Sequence, residues 1–178
     1  HPGLDIHIRE TVTPTLIREL QEGRLDIALV ALPVSEPTLC EVALFDEAFV
    51  LVRPGSDAGA PVPDRDALRE MRLLLLEEGH CFRDQALSFC NATAALPREM
   101  LDASSLSTLV QMVGAGIGVT LIPEMAVSVE TRSAAVSIAR FETPQPTRRI
   151  GMVWRKSSPL DGQFQAIADV VRTATATE

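Results

Sequence analysis

The feature that most limits the fold of this chain is the alternation of short strand-like and helix-like apolar patterns along it. Leu4, Ile6 and Ile8 repeat every second residue, as in a half-buried strand. Thr13 then predicts a helix cap, with Pro14 at the first helical position. Leu16, Ile17 and Leu20 form the apolar stripe of that helix, and Gly23 ends it. Residues 25–30 read as a buried strand, and residues 42–45 and 49–52 as extended segments. A loop rich in Pro, Gly and Ala at 54–63 precedes a short helix at 66–71 and a buried strand at 72–76. A helix over 83–90 follows, then one over 105–113 with Leu106, Leu109, Val110 and Val113 on one face. Strands are expected at 119–122, closed by Pro123, and at 150–154. The last helix, 160–171, points Phe164, Ile167, Ala168 and Val171 inward and leaves residues 173–177 as a frayed tail. Such alternation predicts an α/β fold with mostly parallel sheets.

Size and charge narrow the function. A chain of 178 residues makes one domain, or two small lobes sharing a core. Its net charge of −8 lacks the positive field that holds a phosphate backbone, so this chain alone is not expected to bind DNA or RNA. The longest apolar stretch, residues 73–76, is far short of a membrane span, and no secretory leader pattern is present. The opening His1-Pro2, without Met, reads as a fragment or a processed product. Three cysteines are too few for a secreted disulfide framework, which points to a reducing cytoplasm. The glycines at 114, 116 and 118 follow a helix and precede a strand, the reverse of a dinucleotide-binding turn. They read as a helix end and a tight turn.

The sharpest local feature is the block from Gly79 to Cys90. Cys81 falls in the loop just before a predicted helix, with His80 and Arg83 beside it. Free backbone N–H groups at a helix start and nearby cations both favour thiolate, the form that attacks peroxides. Cys90 sits on the apolar side of the helix, where cysteine usually serves as a small hydrophobe. Nine helical steps span about 13.5 Å, whereas a disulfide tolerates Cα atoms roughly 7 Å apart. The pair can therefore bond only if the helix unwinds. Closing such a loop is worth about 2.7 kcal/mol, comparable to the packing of a short helix, which is the balance a two-state switch requires. The spacing also fits two unrelated thiols. Zinc finds no finger-like spacing in His80, Cys81 and Cys90, adjacent His80 and Cys81 make a poor catalytic dyad, and Cys40 has no partner in sequence.

Residues 76–86, with Phe89-Cys90, closely resemble the redox centre of the peroxide-sensing LysR-type transcription regulators. Residues 23–29 resemble the strand signature of LysR-type effector domains, and segments 44–47, 114–123 and 150–155 match in the same order, so the likeness covers nearly the whole chain. The resemblance implies two Rossmann-like subdomains of the type II periplasmic-binding-protein kind, joined by crossing strands. Residues 1–46 plus 152–178 would form regulatory subdomain I, and 47–151 regulatory subdomain II with the redox cysteines. It implies that hydrogen peroxide oxidises Cys81 to a sulfenic acid, which Cys90 resolves as a disulfide that dithiol reductants later reset. That is stoichiometric sensing, not enzymatic turnover.

By the same match His80 would bind peroxide and assist proton movement. Thr13 would offer a hydroxyl to peroxide or its water, and Arg148 would favour the Cys81 thiolate. Read without the resemblance, Thr13 is a helix cap and Arg148 a solvated surface arginine. The family implies no cofactor and no metal, a homodimer or homotetramer, and DNA contact only through an N-terminal helix-turn-helix that this sequence lacks. The effector domain's first strand and helix also lie outside the match, since residues 1–4 correspond to the approach to its second strand. Two rivals stand beside this expectation: an effector domain that binds a small organic ligand between its lobes, and a cysteine-dependent peroxidase.

Overall fold

The computed structural model describes residues 5–78, 81–89 and 101–175. Six helices and seven strands form among them, in the order α1 (Thr13–Gln21), β1 (Ile27–Leu32), β2 (Leu39–Pro54), α2 (Arg65–Glu70), β3 (Leu74–Leu76), α3 (Cys81–Phe89), β4 (Leu101–Ala103), α4 (Leu106–Gly114), β5 (Thr120–Pro123), α5 (Val127–Glu130), β6 (Val136–Arg140), β7 (Thr147–Arg155) and α6 (Asp161–Thr175).

The 16-residue β2 organises the architecture. Its first part, from Leu39 to Ala48, pairs with β7, which in turn pairs with β1. Its last part, from Phe49 onward, pairs with β5 and β6. A bulge between Ala43 and Phe45 bends the strand. Apolar burial follows the same division. One core gathers Phe49–Val52 of β2 with Leu68, Leu73–Leu76, the α4 face Leu109, Val110 and Val113, and Leu121 and Ile122. Two smaller cores lie on opposite faces of the β1–β7–β2 sheet. One joins Ile17 and Leu20 of α1 to Ala28, Val30 and Val153, and the other joins Phe164 and Ala168 of α6 to Leu44, Met152 and Trp154.

Local chemistry accounts for the element ends. Ser105 caps α4, its hydroxyl accepting from the Thr108 N–H at 3.2 Å, and Asp64 caps α2 at 2.8 Å from the Ala67 N–H. Gly23, at φ +77°, closes α1, and the Arg155 guanidinium donates to the carbonyls of Leu20 in its last turn and Leu25 beyond its end. Gly116, at φ +76°, makes the turn after α4, and Gly118 lets the chain pass so close to β3 that a Cβ would stand 2.4 Å from the Arg72 carbonyl. The glycine cluster is a turn and a close backbone approach.

Several expectations are corrected. The five-stranded sheet is antiparallel throughout its described ladders, and parallel pairing is confined to β3–β4 and a bridge from Leu73 to Val119. The reason is β2 and β7, which cross the molecule side by side in opposite directions. Residues 5–8 form no strand: Ile6 and Ile8 are 67% and 92% exposed, because alternation alone makes no ladder without a neighbouring strand. Helix α1 starts one residue early, so Val12 occupies the cap position and Pro14 the second helical one. The Val12 carbonyl takes the N–H groups of Thr15 and Leu16. Cys81 is not in a loop before α3; it is that helix's first residue. Helix α6 runs on to Thr175, past the start of the expected tail.

Candidate functional site

A cleft of about 460 Å³ opens between the α1–β1–β7 side of the molecule and the side formed by β3, α4 and β5. Its walls include Thr11, just before α1, Thr13 at its start, Val30 of β1, Ser105 at the start of α4, and Arg148 of β7. Two expected site residues, Thr13 and Arg148, thus share one cavity despite lying far apart in sequence. Because Val12 takes the cap position, the Thr13 hydroxyl has no capping duty. A second hollow, of about 470 Å³, runs along α1 from Thr13 to Gln21 and reaches Asp84 of α3. Thr13 borders both.

Arg148 is not a solvated surface arginine. It faces Glu47 across the β2–β7 ladder, and its Nε and Nη2 both reach Glu47 Oε2 at 2.6 Å. The side chains are 15% and 4% exposed, so this is a buried charge pair. The guanidinium also stands 5.7 Å from the Phe49 ring centroid. Glu47 Oε1 has no hydrogen-bond partner among the described residues. The cation that lines the cleft therefore has a close counter-charge, and any anion entering there shares Arg148 with Glu47.

Helix α3 brings Cys81 to its amino-terminal end, where unpaired backbone N–H groups favour negative charge. Arg83, two residues further along the helix, is buried and donates to the Leu76 carbonyl at 2.9 Å and to Asp102 Oδ1 at 2.5 Å. It ties α3 to β3 and β4. His80 and Cys90 lie outside the described residues, as does the Cys81 side chain.

Two residues that the sequence reading passed over each carry a buried polar atom with no partner among the described residues. Gln85 stands one turn after Cys81 along α3, and the unpartnered atom is its Oε1. The i, i+4 spacing from Cys81 was the available signal. Glu47 carried none, because only the strand register places it against Arg148. Among the described residues no cluster of His, Cys, Asp and Glu can hold a metal ion, and no helix is long and apolar enough to cross a membrane. Cys40 is free and half-buried beside the α6 core.

One long strand, β2, running through both lobes, with a cleft between them, defines a two-lobed α/β domain. The chain belongs to the LysR substrate-binding domain family, whose model matches residues 1–176. Among its relatives, a probable hydrogen peroxide-inducible genes activator from Streptomyces viridosporus is 45% identical over 98% of this chain. The DNA-binding transcriptional dual regulator OxyR from Escherichia coli K12 is 38% identical over 96% of it. The chain spans 57% of the length of each. Among solved structures, a hydrogen peroxide-bound mutant of Corynebacterium glutamicum OxyR has a TM-score of 0.91 and 34% identity, covering 99% of this chain and 57% of that one. The reduced OxyR regulatory domain from Pseudomonas aeruginosa has a TM-score of 0.83 and 33% identity, covering 97% of this chain and 84% of that one. The fold is that of the OxyR regulatory domains.

Proposed function

We propose that this chain is the peroxide-sensing regulatory domain of a LysR-type transcription regulator, with Cys81 as the peroxidatic thiol and Cys90 as the resolving one. The observation that carries the reading is the likeness, over 99% of the chain, to a regulator with hydrogen peroxide bound. The cleft supports it: Thr13 supplies a hydroxyl free of capping duty, Arg148 a buried cation, and the start of α3 a field that favours the Cys81 thiolate. His80 takes the role of peroxide binding and proton movement beside the thiol. The lobes divide as 1–46 plus 152–178 and 47–151, a division supported by the separate apolar cores.

The chemistry balances. The Cys81 thiolate attacks one peroxide oxygen, the O–O bond breaks, and hydroxide leaves to take a proton as water. Cys90 then attacks the sulfenic sulfur, the S–O bond breaks, and a second water departs. Helix α3 covers eight residue steps, about 12 Å, and the next Cα lies within about 3.8 Å of the last. An intact α3 thus holds the two Cα atoms beyond the roughly 7 Å a disulfide permits. Oxidation has to unwind it, and that change reaches the oligomer interface of a homodimer or homotetramer. DNA is contacted through a separate helix-turn-helix domain, dithiol reductants reset the switch, and the protein works in the cytoplasm without cofactor or turnover.

Mass spectrometry after stoichiometric peroxide tests this. Loss of two hydrogens within the peptide holding Cys81 and Cys90 is expected; an unchanged mass overturns the reading. Cys81→Ser abolishes the fast peroxide reaction, and Cys90→Ser leaves a trappable sulfenic acid at Cys81. Repeated turnover at enzyme-like rates with a dithiol donor would indicate a peroxidase instead. The volume of the cleft favours one other reading, a small organic effector bound between the lobes. Peroxide-inert cysteines with saturable ligand binding would select it.

A further inference from the structure

Helix α3 is held at both ends, by contacts of different strength. Its first turn is fixed by Arg83, through charge-assisted hydrogen bonds from a buried guanidinium. Its last residue, Phe89, packs against the edge of the main apolar core and makes two specific contacts through its ring. The Phe89 ring meets Phe141 edge-on, with centroids 5.1 Å apart and planes at 63°, and the Arg65 guanidinium lies 4.8 Å from the Phe89 centroid. Phe141 follows β6 directly, and Arg65 is the first residue of α2, so both partners sit on elements outside α3. Phe89 and Phe141 also border a proline-lined groove of about 520 Å³, with Pro61, Pro63 and Pro144 around it. The ring is half-buried and has open space beside it.

We propose that the Phe89–Phe141–Arg65 contact is a latch on the carboxy-terminal end of α3, and that its release limits how fast and how favourably Cys90 reaches an oxidised Cys81. The inference rests on the proposed roles of those two cysteines. Cys90 follows Phe89 directly, so the chain cannot carry Cys90 toward Cys81 without disturbing this ring. Of the two tethers the aromatic one is the weaker, since a half-exposed edge-on pair and a surface cation–π contact hold less than buried ionic hydrogen bonds. The carboxy-terminal end therefore yields first. Phe141 and Arg65 are positioning residues, which act on the second chemical step and leave the first alone.

The test separates the two steps in the full chain. Phe141→Leu and Arg65→Gln are compared with the parent by rapid quench. A sulfenic-acid trap reads the first step, and mass spectrometry of the Cys81–Cys90 peptide reads disulfide formation. Sulfenic acid is expected to form at the parent rate. Disulfide formation should accelerate, by about tenfold for Phe141→Leu, and the equilibrium against a dithiothreitol buffer should shift about tenfold toward disulfide, roughly 30 mV. Phe141→Tyr, which keeps the ring, should retain the parent rate. Gly118→Ala, which strains the same lobe away from the latch, serves as the control for general loosening. Arg65 is exposed, so its variant remains informative if Phe141→Leu fails to fold. Normal sulfenic acid with an unchanged disulfide rate overturns the latch alone, as does equal acceleration in Gly118→Ala. No sulfenic acid at Cys81 in the parent overturns the peroxide-sensing reading, and the latch with it.

Discussion

Glu47 is 5% exposed and satisfies one of its two carboxylate oxygens, so it persists because Arg148 compensates its charge. Removing one member of a buried pair leaves the other desolvated and alone. Glu47→Ala is accordingly expected to destabilise the fold by about 3 kcal/mol, read as a shift in the urea midpoint. It also releases the Arg148 charge toward the cleft. Arg83→Ala removes two bonds from a buried guanidinium and should cost about 2–3 kcal/mol, with Arg83→Lys recovering part of it. Denaturant titration of both variants checks this. At this scale the sequence speaks for residues whose meaning is local. The block around Cys81 is distinctive in itself, whereas Glu47 meets its partner 101 residues away, which no local pattern announces.

The β2–β7 ladder carries a second ion pair next to the first, with Arg149 Nε and Nη2 on the two oxygens of Asp46 at 2.7 and 2.9 Å. This pair is on the surface, and hydrogen bonding to Arg149 holds the Asp46 carboxyl below its ordinary value of 3.8. A carboxyl that ionises more readily in the folded state adds stability above its unfolded pKa and loses it as pH falls through the folded one. Asp46→Asn should therefore be the less stable protein at neutral pH, with the gap closing in acid below about pH 3.8. Melting curves across pH measure the gap. Elements bounded by their own chemistry were legible in the same way: Ser105 announces α4, and the apolar run at 73–76 announces β3. Strands defined by a remote partner were not. β4 has three residues, two of them exposed, and β6 exists because β2 pairs with it. The alternation at residues 4–8 shows the converse, a strand pattern whose described part has no ladder.

For the molecule as a whole, the two lobes are coupled because β2 runs through both. Trp154, the only tryptophan, is fully buried in the α6 core and donates to Asp161 Oδ1 at 2.9 Å. Its fluorescence reports the lobe that holds α6, whereas far-ultraviolet dichroism averages over both. With β2 crossing from one to the other, the two probes should trace one transition in urea, and a displaced tryptophan curve would mean that the lobes unfold separately.

The crossing strand also fixes an arithmetic of evolution. Successive side chains on β2 face opposite ways, so the count of residues between the sheets decides which of them each lobe receives. Inserting one residue after Ala48 would turn one lobe's inward set outward. Inserting two would preserve the facing and only lengthen the span. The bulge at Leu44 is one such odd step, already absorbed into the ladder. Lineages of this domain can therefore vary their crossing length in pairs, or else by adding another bulge.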